Sequence, residues 1–356
     1  MVSEDLRMDS HKLIFHPQRV SDWLNGKSIY PLTVEISPSG ACNHRCIFCG
    51  LDYLEYKPHF LNKDLIISNL ELMYTKGVKA IVLAGEGEPL LNRDTPEIIK
   101  RSREVGLDIG MSTNGVLFTR EVAQGCLPAL TWIRFSVNAA SEATHRIVHR
   151  SQKGDFAKIL HNIAAAVVIK NAGNMKTTIG VQLVLIPENS QNIVAFAEEL
   201  KAIGVDYFAI KPFSQHPQSL CNIDPDFNYG HFLEMEDKLR AITSSSFQVI
   251  FRADSMKKLN TDQKSYERCL GIPFWAYIDS NAVVWPCLAY IGKEEFCFGN
   301  LREESFVSIW ESEKCRNILN MLSHMEIGSC RELCRLDSIN EYLYHLVNPG
   351  AHVNFI

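Results

Sequence analysis

The sequence predicts an α/β fold: a partial (β/α)6 barrel followed by a small cysteine-rich α+β domain. Three observations carry this. Across residues 31–255 six short, nearly continuous apolar runs alternate with longer segments of helical periodicity, the pattern of a parallel sheet covered by helices. The polar and glycine-bearing motifs fall just after those runs, where such folds gather their chemistry. From about Lys257 the alternation gives way to irregular loops, and six of the eleven cysteines lie between Cys269 and Cys334. The chain therefore divides into a leader (1–30), a barrel (31–255) and a cysteine-rich domain with a C-terminal helix (256–356).

The elements follow in order. Residues 32–37 are rich in β-branched side chains and end at Pro38-Ser39-Gly40, a strand and its turn. Residues 64–76 read as a helix capped by Asn62 and stopped by Gly77. A second strand at 79–85 precedes a helix at 95–105 closed by Gly106, and strands follow at 108–113 and 132–138. A long helix spans 155–170, the fifth strand 178–186, an amphipathic helix 189–203 and the sixth strand 205–211. Residues 224–246 read as a helix and boundary, and 247–252 as one more strand. Beyond it, residues 277–286 predict a hairpin turning at Asp279-Ser280-Asn281-Ala282.

Composition narrows the function. A net charge of −5 over 356 residues argues against a nucleic-acid partner, which usually demands a basic face. Residues 1–19 mix charges and hold no signal-peptide core. No stretch approaches the roughly 18 apolar residues of a membrane helix. A cytoplasmic protein without a membrane partner is expected, and in that reducing compartment clustered cysteines bind metal or do chemistry.

The chemistry concentrates in Cys42-Asn43-His44-Arg45-Cys46-Ile47-Phe48-Cys49, a C-x3-C-x2-C loop directly after the first strand. Three thiolates on a short loop suit three corners of an iron–sulfur cubane, leaving the fourth iron open to a ligand from outside the protein. A zinc site or three structural cysteines are the alternatives for the loop alone. His145 and His149 share a helical face at i, i+4 but lack the intervening glutamate of a zinc-protease helix. They read as ordinary helix-surface residues. Gln182 and Lys211 are polar residues inside apolar strands, and a ligand is one way to satisfy them.

The cysteine loop, with an aromatic residue before its last cysteine, resembles the radical S-adenosylmethionine (SAM) superfamily. The resemblance spans roughly the first two-thirds of the chain and implies a radical SAM barrel. It implies that Cys42, Cys46 and Cys49 hold a [4Fe–4S] cluster and that Phe48 packs near the adenine of SAM. Leu83-Ala84-Gly85-Glu86-Gly87-Glu88-Pro89 is similar to the family's Gly-Gly-Glu-Pro loop for the methionine amino group, with Glu86 in place of a glycine. Gly85, Gly87 and Glu88 would serve it, an acidic side chain suiting an ammonium. Ser112-Thr113-Asn114-Gly115 and Arg134-Phe135-Ser136-Val137-Asn138 match the family's later strand ends. By that likeness Asn114, Ser136, Asn138 and Gln182 face SAM, and Arg150 pairs with its carboxylate.

The C-terminal layout resembles the SPASM/twitch domains that hold auxiliary clusters. Cys269, Cys287, Cys330 and Cys334 would bind a second [4Fe–4S] cluster, with Cys297 as substitute for Cys330 and structural zinc as the bland alternative. Cys126, Cys221 and Cys315 are isolated and read as small buried hydrophobes. The expected activity is that of an oxidoreductase: reductive cleavage of SAM to a 5′-deoxyadenosyl radical that abstracts hydrogen from a small polar substrate. A carbohydrate, aminocyclitol or nucleotide-linked sugar fits, dehydrogenated or epimerised, with flavodoxin or ferredoxin as electron donor. Only about 30 residues precede the first strand, too few for the recognition module that peptide-modifying relatives often carry. A peptide maturase that crosslinks or epimerises is the second reading, and a non-catalytic Fe–S electron carrier the third.

Overall fold

The computed structural model describes residues 11–259, 264–328 and 330–355. Its strands are β1 (Thr33–Ile36), β2 (Ala80–Leu83), β3 (Asp108–Thr113), β4 (Trp132–Ser136), β5 (Thr178–Leu185), β6 (Tyr207–Pro212), β7 (Gln248–Phe251), β8 (Trp275–Ile278), β9 (Val283–Trp285) and β10 (Gly299–Asn300). They form one sheet in the order β10-β9-β8-β1-β2-β3-β4-β5-β6-β7. From β1 to β7 every neighbour is parallel and each crossover carries helix, the (β/α) repeat expected from the apolar periodicity.

The local reasons are those of the sequence. Asn62 accepts from the Leu65 N–H at 2.9 Å and starts the helix Lys63–Thr75. Gly106 ends Thr95–Val105 at φ 106°, a left-handed cap that glycine adopts without strain. The apolar faces of β1 to β5 and their helices form one core in which Val34, Ile36, Ile81, Ile133 and Val181 are fully buried. Residues 224–246 depart from the expected single helix, forming the two short helices Gly230–Leu233 and Met235–Ile242.

The hairpin after Ile278 forms where expected. Asp279 organises it: one carboxylate oxygen accepts from the Asn281 and Val283 N–H groups at 2.8 and 2.9 Å, the other from the Trp285 indole at 2.8 Å. Its first strand does something the sequence does not announce. β8 pairs in parallel with β1, Thr33 opposite Trp275 and Ile36 opposite Ile278, so the sheet runs unbroken past residue 256. Further ties cross the same line. The Phe306 N–H donates to Asn69 Oδ1, the Trp310 indole donates to Ile29 O, and Arg335 forms an ion pair with buried Glu35 of β1.

Candidate metal centre and cofactor pocket

The loop after β1 opens into a cavity of about 350 Å³ at the C-terminal ends of the strands, and Cys42, Cys46 and Cys49 all line it. All eleven cysteines are unpaired thiols. The loop is pinned from outside: the Arg45 and Ile47 N–H groups donate to His149 O and Val148 O at 2.9 Å, and the Arg45 guanidinium lies 4.2 Å from the centre of the Tyr56 ring. Burial, then the neighbouring Glu88 carboxylate, pushes the Cys42 thiol up to about 12. Burial also raises Cys46 and Cys49. Bare thiolates are disfavoured here, and metal supplies the missing positive charge.

The two histidines correct the expectation made from their spacing. His145 and His149 are buried rather than on the surface, because the helix Glu142–His149 packs that face against the cysteine loop. Their rings stack at 4.3 Å, and His44 lies 5.1 Å from His149. Burial, and the other two rings, hold His149 well below the usual histidine range, so it is neutral. Its Nε2 accepts from the Asn138 backbone N–H at 3.1 Å. The proton must then sit on Nδ1, which is 3.1 Å from Cys46 Sγ and donates to it. His44, Cys46 and His149 place ligand atoms within 4.8 Å of one another. His44 Nε2 already donates to Asp155 at 3.3 Å.

Gly85-Glu86-Gly87-Glu88 lines the opposite wall of this cavity. A Cβ on Gly87 would lie 2.0 Å from Ala41 O, and one on Gly85 would lie 2.7 Å from Ser37 Cβ at φ 114°. Only glycine lets these backbones come so close. Glu88 is buried and accepts from the Leu90 N–H, the Thr113 hydroxyl and the Asn114 N–H at 3.2, 2.6 and 2.7 Å. Its carboxylate is thus committed to the Leu90 N–H and to the turn after β3. Glu86 accepts from Ser280 N–H and Oγ at 3.0 and 2.7 Å, tying the loop to the hairpin.

Phe48, Asn114, Ser136, Asn138 and Gln182 line the same cavity. Asn114 donates to Asn43 Oδ1 at 2.6 Å, and Asn138 accepts from the Val184 N–H at 2.7 Å. Gln182 makes no side-chain hydrogen bond to any described residue. Arg150 is not brought in. It caps the helix Glu142–His149 in the left-handed region at φ 47°, exposed and outside the cavity lining.

A second cavity of about 1040 Å³ adjoins the first, and Cys269, Cys287, Cys330 and Cys334 line it together. Burial pushes Cys269 up to about 11 and Cys287 to about 12. Cys297 lies outside that lining, with its Sγ 3.9 Å from Gly299 O. Cys126 and Cys315 are buried in the core, as expected. Cys221 departs from that reading: it is half-buried in a polar loop, held by Ser219 and Gln215. The sequence reading passed over Arg134, His216, Arg252 and Arg331, which also line the cavities. For Arg134 a signal was present, a charge inside an apolar strand; the other three lie in loops without one.

Residues 36–200 match the model of the radical SAM superfamily, a span holding the cysteine loop, the glycine–glutamate loop and β2 to β5. Residues 269–335 match an iron–sulfur cluster-binding domain, SPASM, a span holding all four cysteines of the second cavity. The chain is a radical SAM enzyme with a SPASM domain. Its cofactors are SAM and [4Fe–4S] clusters. The residues present fit them: unpaired, half-buried thiols in groups of three and four lining the cavities, and a glycine cradle beside the three.

Relatives of this radical SAM enzyme are diverse. It is 25% identical over 289 residues to the AdoMet-dependent heme synthase of Methanosarcina barkeri, covering 77% of this chain and 80% of that one. It is 23% identical over 295 residues to the tungsten-containing aldehyde ferredoxin oxidoreductase cofactor-modifying protein of Pyrococcus furiosus, covering 77% and 79%. Streptococcus suis SuiB bound to S-adenosylmethionine shares the fold with a TM-score of 0.64 at 16% identity, covering 86% of this chain and 72% of SuiB. No helix among the described residues is long and apolar enough to cross a membrane.

Proposed function

We propose that this radical SAM enzyme oxidises a small polar metabolite by abstracting hydrogen from one of its carbons. A carbohydrate, aminocyclitol or nucleotide-linked sugar is the substrate class, and flavodoxin or ferredoxin the electron donor. The observation that supports this best is the pairing of an incomplete and a complete cysteine set in adjoining cavities. Cys42, Cys46 and Cys49 leave one iron of a cubane for SAM, whereas Cys269, Cys287, Cys330 and Cys334 leave none for substrate. When bound, the groups supply one-electron cleavage of SAM to methionine and a 5′-deoxyadenosyl radical, and an acceptor for the electron the substrate gives up with its proton.

The chain's own residues position and enclose. Gly85 and Gly87 bring backbone to the methionine end of SAM, while Phe48, Asn114, Ser136 and Gln182 wall the rest of the cavity. Asn138 holds β5 and His149 in place beneath it. Water exclusion protects a reactive radical. Anaerobic reconstitution with iron and sulfide, iron counting and a dithionite-driven SAM cleavage assay test the reading. About eight irons per chain with 5′-deoxyadenosine formed is the expected result. Bound zinc without cleavage refutes it.

The size of the second cavity, about 1040 Å³, favours one further reading: peptide maturation. It lies at the upper end of small-molecule sites, and SuiB has also been crystallised with its precursor peptide SuiA. A mass shift in a candidate precursor peptide coexpressed with this enzyme would favour the peptide over the metabolite.

A further inference from the structure

The two cavities share a wall, and its charge is one-sided. Of the side chains lining both, Arg134, Lys211, Arg252 and Arg331 are cationic and none is acidic. Arg134 rises from β4, Lys211 from the end of β6, and Arg252 directly follows β7, so three strands aim positive charge at one place. The charged groups facing Lys211 are Arg134, Arg331 and Arg252.

No acidic partner of Arg134, Lys211 or Arg331 lies among the described residues. Arg134 donates through Nη2 to the neutral Ser112 hydroxyl at 3.0 Å, and its buried Nε has no partner. Lys211 makes no side-chain hydrogen bond or ion pair with any described residue, and the charged groups that face it are all cationic. Arg331 donates to Ser214 Oγ and O at 3.1 and 2.8 Å, and it faces Cys287, Cys330 and Cys334, whose cluster would answer part of its charge. The acids nearby are committed or distant. Glu86 and Glu88 accept from Ser280, Thr113 and Asn114, Asp254 pairs with Lys257 and Asp337 with Lys258, while Glu295 and Glu326 are exposed.

Holding half-buried like charges around one cavity without a counter-ion is unfavourable, and a fold keeps such an arrangement where an anion arrives to complete it. SAM brings a carboxylate, but the residues fitted to its methionine end, Gly85 and Gly87, line the first cavity alone. The cations line both. An anion seated among them belongs to a molecule bridging the two cysteine sets.

We propose that the substrate is an anion whose carboxylate or phosphate is held by Arg134, Lys211 and Arg331 where the two cavities meet. This rests on the small-substrate reading and narrows it: neutral sugars and aminocyclitols are excluded, while sugar acids, sugar phosphates and nucleotide-linked sugars fit. Arginine supplies paired donors to a planar or tetrahedral oxyanion, and lysine a point charge.

The test is equilibrium dialysis of the anaerobically reconstituted enzyme with radiolabelled inorganic phosphate and malonate, with and without saturating SAM. Saturable binding of one equivalent that persists with SAM is expected. Lys211→Met and Arg134→Met should each weaken it at least tenfold with iron content and circular dichroism unchanged, and Lys211→Arg should restore most of it. Preference for phosphate points to a phosphate ester and preference for malonate to a carboxylate. No saturable binding of either probe, binding displaced by SAM, or binding indifferent to both methionine variants would overturn the proposal. If SAM is cleaved but no anion binds, the anion seat alone fails. If anion binds but SAM is not cleaved, it is the enzymatic reading that fails.

Discussion

Replacing Glu86 with glutamine should stabilise this enzyme at pH 8 and change it little at pH 5. Glu86 is 8% exposed, and burial, then the nearby Asp279 carboxylate, pushes its carboxyl up to about 7 despite the bonds from Ser280. A folded-state value above the unfolded one, 4.5, means the folded protein holds the proton more tightly. That contribution is fully present below about pH 4.5 and is lost as pH rises through about 7. At 1.36 kcal/mol per pH unit, ionising Glu86 costs the fold about 3 kcal/mol at pH 8 and under about 1 kcal/mol at pH 5. Glutamine carries no charge, yet its carbonyl can accept from the Ser280 N–H while its amide donates to Ser280 Oγ. With an unfolding entropy of about 2.1 cal/mol/K per residue, the pH 8 gain raises Tm by about 4 °C. Calorimetry of the reconstituted wild type and E86Q at both pH values measures it. A Tm lowered at pH 8, or a shift equal at both pH values, would refute the assignment of a raised carboxyl to Glu86.

Four more outcomes follow from the two cysteine sets and the loop around them. Cys46→Ser should lose about four irons and all 5′-deoxyadenosine formation while keeping its circular dichroism spectrum; retained cleavage would count against that ligand. Cys334→Ser should keep part of the SAM cleavage but lose turnover of substrate, and normal turnover would show the second centre to be dispensable. His149→Phe removes the N–H that donates to Cys46 Sγ. If that bond favours the reduced cluster by about 1 kcal/mol, the midpoint potential falls by roughly 40 mV, read by redox titration with EPR. Gly87→Ala places a methyl 2.0 Å from Ala41 O, so SAM binding by equilibrium dialysis should weaken at least tenfold.

The strands were legible because each is a short apolar run ended by glycine or polar residues, and tertiary packing left those boundaries within about two residues. The cysteine groupings were legible because ligands to one centre cluster along the chain. What was hidden depends on contacts far apart in sequence. His145 and His149 looked like surface residues because their spacing was weighed against polarity, but the face they share meets His44 and the cysteine loop, polar groups that bury together. Arg150 fitted a family position by its place downstream of β4, yet the helix ends there in a left-handed turn that directs it outward. Glu86 stood out only as a departure from glycine. Its partner Ser280 lies 194 residues on, and no local pattern links the two.

The position of β1 has a consequence for synthesis. Its second neighbour, β8, emerges about 240 residues after β1 itself, which at about 5–20 residues per second is a wait of roughly 12–50 s. Throughout that interval one side of β1 presents unpaired N–H and C=O groups, and Val34 and Ile36, fully buried in the finished protein, lack part of their cover. A nascent barrel is thus adhesive along the edge that the C-terminal hairpin later closes. A barrel cut free after residue 255 would keep that sticky edge permanently, so chaperone retention and self-association, rather than a working half-enzyme, are what such a fragment has to offer.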